Sequence, residues 1–246
     1  MPQFSDDIFL GTAETGMGMN PALGEPSPMD KGVGPLGRIY VWDTVPAVLA
    51  NNNIALAQIL TASAVLTAGA GNTAIVKNGV PAVQLDVPRA VSVTTGAGTP
   101  TIQPVTIRGF DYYGQPMSET INSSGVASTA VLGKKAFYQI SSITVPASTV
   151  VTIAVGTTDI LGLPVRVVDP AYIARVGYNG VIATDAGTFV AAATATATPT
   201  TGDVRGTYLP SVATNGTRRL VMGILLAGIA VGPNATRLGA LGVPQA

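Results

Sequence analysis

The clearest local signal in this chain is a hairpin, written VTIRGFDYYGQPMSETI over residues 105–121. Val105–Phe110 and Met117–Asn122 both have the composition of short strands, and Asp111-Tyr112-Tyr113-Gly114 follows the first of them. Asp at the start of a tight turn accepts backbone N–H bonds, and Gly tolerates the positive φ that such turns require. The stretch therefore predicts two antiparallel strands joined by a turn that begins at Asp111.

Short strand candidates separated by turn residues continue on both sides of this hairpin. RIYVWD (38–43) is the first candidate, and apolar and polar residues alternate over 83–87 after the turn Asn78-Gly79. Later candidates are residues 135–140, 143–145, 150–155, 163–168, 172–176, 181–184, 188–193, 203–208 and 219–226, with Asn-Gly turns at 179–180 and 215–216. So many short strands predict an all-β fold, an antiparallel β-sandwich or jelly roll.

Two internal segments have less decisive patterns. In NNNIALAQILTASAVLTA (51–68), one apolar set is spaced for a helix, whereas β-branched and small residues suit a strand equally well. We predict a short helix there. In AAATATATPTT (191–201), Ala and Thr alternate, which favours a strand with one methyl-lined and one hydroxyl-lined face over a flexible loop.

The two ends of the chain differ from its middle. Residues 1–40 are rich in Gly and Pro and show no helical or strand period, which predicts an extended arm, and residues 232–246 predict a second one. The β-domain then spans residues 41–231. The first arm carries several large apolar side chains, which favour contact with a partner or with its own domain: Phe4, Ile8, Phe9 and Leu10.

The composition excludes most familiar chemistry. The 246 residues include no Cys and no His, so disulfides, thiolate nucleophiles, Cys or His zinc sites and imidazole catalysis are excluded. Charged residues are 11% of the chain, against roughly 25% in an average soluble domain, and hydrophobic residues are 47%. So few charges cannot cover a large free surface, which favours extensive protein interfaces.

The charge and hydropathy of the sequence argue against two classes of partner, nucleic acid and membranes. The 13 basic and 13 acidic residues cancel and form no run of either sign, which argues against nucleic acid. The longest apolar run, residues 220–231, is shorter than the roughly 20 residues that a membrane-spanning helix needs. The start MPQFSDDIFL has acid where a secretion signal has base, so we predict assembly in a cytoplasm and no membrane partner.

Motifs that could carry chemistry lack the required context. Residues 32–37 (GVGPLG) match G-x-G-x-x-G, but a proline-bearing arm precedes them and a strand candidate follows, so we predict no cofactor. Carboxylate pairs could support hydrolysis, yet Asp111 begins a turn and Glu119 is placed to pair with Arg108 across the hairpin. The other acids considered are Asp6, Asp7, Asp159, Asp169, Asp185 and Asp203. We predict no catalytic, cofactor-binding or metal-binding residue.

Aromatic residues are scarce, at 5% of the chain, so those near predicted strands and turns are weighed as binding residues. Trp42, Tyr112 and Tyr113 could stack on a sugar or a base, although packing in the core or at an interface is the favoured interpretation. With the apolar residues of the first arm, the predicted partner interface is Phe4, Ile8, Phe9, Leu10, Trp42, Tyr112 and Tyr113.

Five segments resemble those of one class of protein. In order, they are VTIRGFDYYGQPMSETI (105–121), GKKAFYQISSITV (133–145), VGTTDILGLPVRV (155–167), GDVRGTYLPS (202–211) and NGTRRLVMGILL (215–226). Segments of this kind recur in this order in structural proteins of tailed-bacteriophage virions, namely head decoration (cement) or minor capsid proteins. The resemblance covers roughly residues 83–226.

This resemblance implies a non-enzymatic β-rich protein on the exterior of a capsid, assembled in the cytoplasm of a bacterial host. It implies major capsid protein as the partner and self-association as a homo-oligomer, with a trimer favoured over a dimer. A tail or head-fibre component that contacts the host is the first alternative. A glycan-binding or glycan-cleaving β-domain is the second.

Overall fold

The computed structural model describes residues 7–8, 37–181, 183–193 and 202–226 of the chain. These residues form fourteen strands, all paired antiparallel, with a 3-10 turn at Pro170–Tyr172 and no α-helix. The strands are β1 Asp7–Ile8, β2 Gly37–Thr44, β3 Ala50–Gln58, β4 Thr73–Lys77, β5 Val80–Thr95, β6 Pro104–Phe110, β7 Pro116–Asn122, β8 Ala130–Leu132, β9 Phe137–Thr144, β10 Ile153–Gly162, β11 Ile173–Tyr178, β12 Thr188–Val190, β13 Thr207–Leu209 and β14 Leu220–Leu226. The predicted all-β antiparallel class is confirmed.

The strands belong to two sheets. The small sheet has the order β1-β2-β14-β11. The ten-stranded sheet has the order β12-β13-β10-β5-β9-β6-β7, with β3 added to β10 and with β4 and β8 added to β5. The predicted hairpin at residues 105–122 is confirmed as β6 and β7, which pair over seven residues from Pro104↔Asn122 to Phe110↔Pro116.

The 16-residue strand β5 connects the two halves of the large sheet. Its first half pairs with β4 and β9, and its second half pairs with β10 and β8. The register against β9 shifts between Gln84 and Arg89. Because β5 changes neighbours at this point, the same strand contributes buried residues to two hydrophobic clusters.

The first core is formed by β3, β5, β6, β7, β9 and β10, and its fully buried members include Ile54, Val93, Ile107, Phe137 and Ile143. The second core lies between the small sheet and the segment that follows β10. Its buried members include Leu161, Leu163, Tyr208, Leu220 and Met222. Each fully buried side chain of this size contributes roughly 1.5–3 kcal/mol relative to exposure, so both clusters stabilise the fold substantially.

The predicted helix within residues 51–68 is wrong. Residues 50–58 form β3, which pairs with β10, and the following residues fold back so that Thr67 N donates to Ile54 O at 2.8 Å and Gly69 N to Asn53 O at 2.9 Å. The Asn53 amide also holds β10, because its Oδ1 accepts from Thr157 N at 2.9 Å. Pairing with the edge of β10 therefore overrides the helical spacing of the apolar residues.

Other predicted strands differ in extent. The two candidates at 135–140 and 143–145 are replaced by one strand, β9, which spans Phe137–Thr144, whereas residues 163–168 form no strand although Leu163, Val165 and Val167 are buried. There the backbone bonds irregularly, with Leu163 N donating to Gly206 O at 3.1 Å and Val167 N to Arg205 O at 2.9 Å. Residue 181 and residues 183–184 also form no strand, and only residues 207–209 of the candidate at 203–208 lie in β13.

Several predicted segments lie outside the described residues. These are residues 194–201 of the Ala/Thr run, residues 32–36 of the glycine motif, the second arm at 232–246, and most of the first arm. Of that first arm, Asp7–Ile8 forms β1, and residues from Gly37 onward belong to β2.

The close approach of β3 to β10 requires glycine at position 156. A Cβ atom at Gly156 would overlap the carbonyl oxygen of Ala50 and the backbone of Asn51, whereas one at Gly177 in β11 would lie 3.7 Å from Val221 O. We expect Gly156→Ala to lower the free energy of unfolding by at least about 2 kcal/mol, as overpacking does, and Gly177→Ala to change it by less than about 1 kcal/mol. Urea unfolding of both variants measures the difference, and equal midpoints would contradict this packing.

Candidate functional site

The turn between β6 and β7 is fixed by one carboxylate. Oδ1 of Asp111 accepts from Tyr113 N and from Gln115 N, both at 2.8 Å. Gly114 N donates to Asp111 O at 3.1 Å, and Gly114 has a φ of 79°. The predicted role of Asp111 as an acceptor for turn N–H groups is confirmed, and the turn presents Tyr112 and Tyr113 side by side.

A buried ion pair anchors this turn to the second core. Arg205 Nη1 lies 2.6 Å from Asp111 Oδ2, and both side chains are fully buried. Arg205 Nε donates to Leu163 O at 3.2 Å. Asp203 then accepts from Arg205 N at 2.8 Å and from Ala136 N at 2.9 Å. These contacts link the hairpin, β9 and the segment after β10 through one connected set of charged groups.

Above the anchored turn lies an aromatic surface, which we call the tyrosine surface: Phe110, Tyr112, Tyr113 and Tyr138. The Tyr112 ring is edge-to-face with Tyr113 at 5.3 Å and with Tyr138 at 5.2 Å. The Tyr113 hydroxyl donates to Pro164 O at 2.5 Å, and Tyr112 remains 47% exposed. The surface thus combines a half-exposed ring with neighbours that hold it in place.

Polar groups border the aromatic rings and bond to one another. Lys77 Nζ lies 4.0 Å from the centre of the Phe110 ring and donates to Gln139 Oε1 at 2.7 Å. Gln139 Nε2 donates to Gln84 Oε1 at 3.2 Å, and Gln84 Nε2 to the Tyr138 hydroxyl at 3.2 Å. Because the two amides and the ammonium group already have partners, a ligand at this surface would bind mainly through contact with the aromatic rings.

Two phenols of this surface, those of Tyr113 and Tyr138, stay neutral near pH 7. Burial raises the pKa of Tyr113 and of Tyr138 above the ordinary value of 10.0, and charge repulsion among neighbouring tyrosines adds to the increase. The pKa of Tyr40 on β2 is also raised, first by burial and then by Tyr112. Tyr40 therefore lies near the same rings, and a neutral hydroxyl can donate as well as accept a hydrogen bond.

Glu119 occupies a different position from the predicted one. Arg108 lies opposite Ser118 on the exposed side of the hairpin, whereas Glu119 lies opposite Ile107 and is 3% exposed, so the predicted pair of Glu119 with Arg108 is wrong. Neighbouring residues of a strand point to opposite faces, which separates the two groups. Glu119 instead accepts from Lys134 N at 2.6 Å and from Lys135 N at 3.2 Å.

Burial raises the pKa of Glu119 to about 7, and the two backbone N–H bonds and the charge of Lys135 only partly oppose the effect. Burial likewise lowers the pKa of Lys135, while Glu119 and Asp203 raise it. Glu119 and Lys135 are thus ionisable groups in a water-poor environment, joined through Asp203 to the ion pair beneath the tyrosine surface.

Three further carboxylates named from the sequence hold local structure, whereas Asp6 and the side chain of Asp7 lie outside the described part of the chain. Asp159 Oδ1 accepts from Thr214 Oγ1 at 2.6 Å, Asp185 Oδ2 from the Tyr208 hydroxyl at 2.6 Å, and Asp169 Oδ1 from Ala171 N at 2.9 Å. In the part of the chain that the structure describes, no three acidic residues are grouped as a metal site would require. An open groove of about 350 Å³ adjoins Phe110 and is lined by Arg108, Gly109, Phe110, Pro116, Met117, Ser118 and Ser141.

The predicted interface residues separate into three groups. Tyr112 and Tyr113 lie together in the tyrosine surface. Trp42 lies on β2 opposite Met222 and packs, half-buried, against the second core. Ile8 lies in β1, and the last three, Phe4, Phe9 and Leu10, are outside the described residues.

Sequence reasoning missed Phe110, Tyr138 and Arg205. The strand register could have found the first two, because Phe110 lies opposite Gln139, the residue after Tyr138, once β6 is paired with β9. No local signal identifies Arg205, whose partner Asp111 is 94 positions away.

Comparison of the sequence with protein-family models and with curated proteins, and of the fold with solved structures, found no match. Among the described residues, no helix has the length and apolar character needed to cross a membrane.

The raised pKa of Glu119 predicts how stability changes with pH. The group holds its proton up to about pH 7 in the folded state but only to about pH 4.5 when unfolded, so the folded state binds more protons between these values. Below pH 4.5, Glu119 therefore contributes about 3 kcal/mol to the free energy of unfolding. This contribution is lost as the pH rises through 7.

Glu119→Gln removes this titration. We expect its stability, relative to the unaltered protein, to increase by about 3 kcal/mol from pH 4.5 to pH 8, as measured by urea unfolding at matched ionic strength. Parallel pH profiles for the two proteins would contradict the assignment.

Proposed function

We propose that this chain is a non-enzymatic virion structural protein, a capsid decoration or cement protein on the outer surface of an assembled phage head. There it binds major capsid protein and stabilises contacts between capsid subunits. Support comes from the ordered segments over residues 83–226 that resemble virion proteins and from the all-β antiparallel fold. A protein that binds only the assembled shell stabilises that shell by mass action.

The observation that carries this proposal furthest is the rigid, half-exposed ring of Tyr112. Tyrosines fixed by their neighbours lose little conformational entropy on binding and are frequent among the residues that dominate interface energies. Tyr112 has this character because Tyr113 and Tyr138 contact its ring and Asp111 fixes its turn. We therefore place the contact with a capsid subunit on the tyrosine surface.

The weakly charged composition supports a permanent interface. Stable assemblies bury larger and more apolar surfaces than transient ones. With 11% charged residues, the chain also leaves many aliphatic side chains more than half exposed, among them Val41, Val65, Val76, Val126 and Val150. Self-association, with a trimer favoured, would cover part of this area.

The finer description of the fold, a sandwich or jelly roll, belongs to the same proposal. It is supported by the first core, whose residues come from strands paired with each half of β5. Such a core is expected between two layers of strands that face each other. A rigid double-layered domain suits a protein that must resist the pressure and heat that act on a capsid.

The glycan alternative has weaker support in the same surface. Sugar rings bind to flat, open aromatic faces, whereas Tyr112 meets Tyr113 at an interplanar angle of 84° and Tyr138 at 64°. The amides of Gln84 and Gln139 also bond to each other instead of remaining available to hydroxyl groups.

The other alternative, a tail or head-fibre component, differs from the decoration protein in its location on the particle. Low-resolution imaging of the virion distinguishes the two, because it shows whether the copies lie on the head or on the tail.

Tyr112→Ala tests the proposed contact. Heads assembled by the same virus without this chain are mixed with purified variants, and bound protein is measured after sedimentation. We expect Tyr112→Ala to weaken binding at least tenfold, the effect of losing about 1.4 kcal/mol, while a cooperative urea transition shows that the variant is still folded. The matched control is Val126→Ala, an exposed residue beyond the opposite end of β7, which should bind like the unaltered protein. Equal binding by both variants would contradict the proposed contact.

A further inference from the structure

Strand β7 is the last strand of the large sheet, and no described strand pairs with its outer edge. Just beyond the paired part of the hairpin, Ser123 N donates to Gln103 O at 2.8 Å. Hydrogen-bonded and non-hydrogen-bonded positions alternate along an antiparallel pair, so the odd-numbered residues of β7 bond to β6. The N–H and C=O groups of Ser118 and Thr120 therefore point away from β6 and form an edge to which another strand can bond.

The groove of about 350 Å³ borders this edge. Its lining combines the apolar rings of Phe110 and Pro116, the hydroxyl groups of Ser118 and Ser141, and the guanidinium group of Arg108. The volume lies in the range of roughly 300–1,000 Å³ that is usual for ligand sites. The groove thus offers apolar, hydroxyl and cationic contacts directly beside the free peptide groups of β7.

Arg108 gives this groove an unpaired positive charge. Of the three charged residues in the hairpin of β6 and β7, Asp111 and Glu119 are buried and accept hydrogen bonds, whereas Arg108 is exposed. Arg108 has no ion-pair partner within the described part of the chain. Arginine binds a carboxylate through two parallel hydrogen bonds, so the groove is complementary to an acidic side chain.

The spacing of strands indicates which residue of an added strand would reach Arg108. Arg108 lies directly opposite Ser118, so both side chains lie on the same face of the hairpin. A residue opposite Ser118 on its outer side is two strand spacings away, which sets its Cα about 10 Å from that of Arg108. Because the serine side chain is small, the long side chains of arginine and glutamate can meet above it.

We propose that the outer edge of β7 binds an extended segment of a partner protein as an additional antiparallel strand, with a glutamate of that segment paired to Arg108. Main-chain bonds to Ser118 and Thr120 would hold the segment, and the groove would select its side chains. Phe110 belongs to both the groove and the tyrosine surface, so one partner can contact both. Only the identity of that partner, a capsid subunit, rests on the proposed function.

The charge of the groove favours a different protein over a second copy of β7. Strand β7 contains one acidic residue, Glu119, which is 3% exposed and lies on the buried face of the strand. If β7 paired with β7 of another molecule, the added strand would therefore bring no carboxylate to Arg108. An acidic segment of a partner protein supplies the missing charge.

Two probe peptides, acetyl-VTETV-amide and acetyl-VTQTV-amide, test the proposal because they differ only in the charge of the central side chain. Each is titrated into the isotope-labelled full chain, and the amide resonances of Ser118 and Thr120 are followed by NMR. We expect both amides to shift, and VTETV to bind at least about threefold more tightly than VTQTV, since an exposed ion pair adds modestly to binding. Arg108→Gln should abolish this preference. Arg219→Gln, which removes an exposed arginine of the small sheet, should retain it.

Three results would overturn the proposal. Absence of shifts at Ser118 and Thr120 would show that the edge accepts no strand. Equal affinities of the two peptides, or equal loss of the preference in Arg108→Gln and Arg219→Gln, would show that Arg108 does not select the carboxylate. Shifts of the same amides with protein concentration alone would show that a second copy takes the edge. A cooperative urea transition confirms that each variant is folded, and the test uses no capsid, so its failure leaves the proposed function intact.

Discussion

The ion pair between Arg205 and Asp111 lies where the hairpin that supplies the first core meets the segment that lines the second. Both charges are fully buried, so the loss of either partner would leave an unpaired charge at a cost of about 3–5 kcal/mol. Because Oδ1 of Asp111 holds the turn and Oδ2 binds Arg205, one carboxylate determines both the shape of the turn and its position on the domain. The position of the exposed tyrosine surface therefore depends on this buried ion pair.

This arrangement is consistent with the binding function proposed above. Asp111, Glu119, Asp159, Asp169, Asp185 and Asp203 accept hydrogen bonds from the protein itself, and the polar groups around Phe110 and Tyr138 are bonded to one another. The exposed part of the tyrosine surface is an aromatic ring on a fixed support, which favours adhesion to another protein. The low charge of the sequence agrees with a molecule whose surface is covered largely by neighbours.

The local features of the fold were predictable because each depends on adjacent residues. The turns at Asn78-Gly79 and Asn179-Gly180 have the positive φ angles that such dipeptides favour, and the hairpin of β6 and β7 follows its alternating pattern. The failures involve distant contacts. Residues 51–68 have a helical period, but their first part lies in β3 and pairs with β10, and Arg205 has a partner far away in the sequence. For the same reason, the sequence identified Tyr112 and Tyr113 as candidates but not Phe110 or Tyr138.

The Arg205–Asp111 pair fixes the turn beneath the tyrosine surface, and this dependence of the turn on Arg205 can be measured. Amide hydrogen exchange of Tyr113 and Gln115 in Arg205→Lys, compared with the unaltered protein, tests it most directly. Lysine keeps the charge but cannot reproduce the two directed bonds to Asp111 and Leu163. We expect both turn amides to exchange at least tenfold faster, and by a larger factor than the amide of Ile140 in β9, since one charge-assisted bond contributes about 1.5–3 kcal/mol and a core-strand amide responds only to the global loss of stability. Unchanged exchange at the turn, or equal acceleration at Ile140, would contradict the claim.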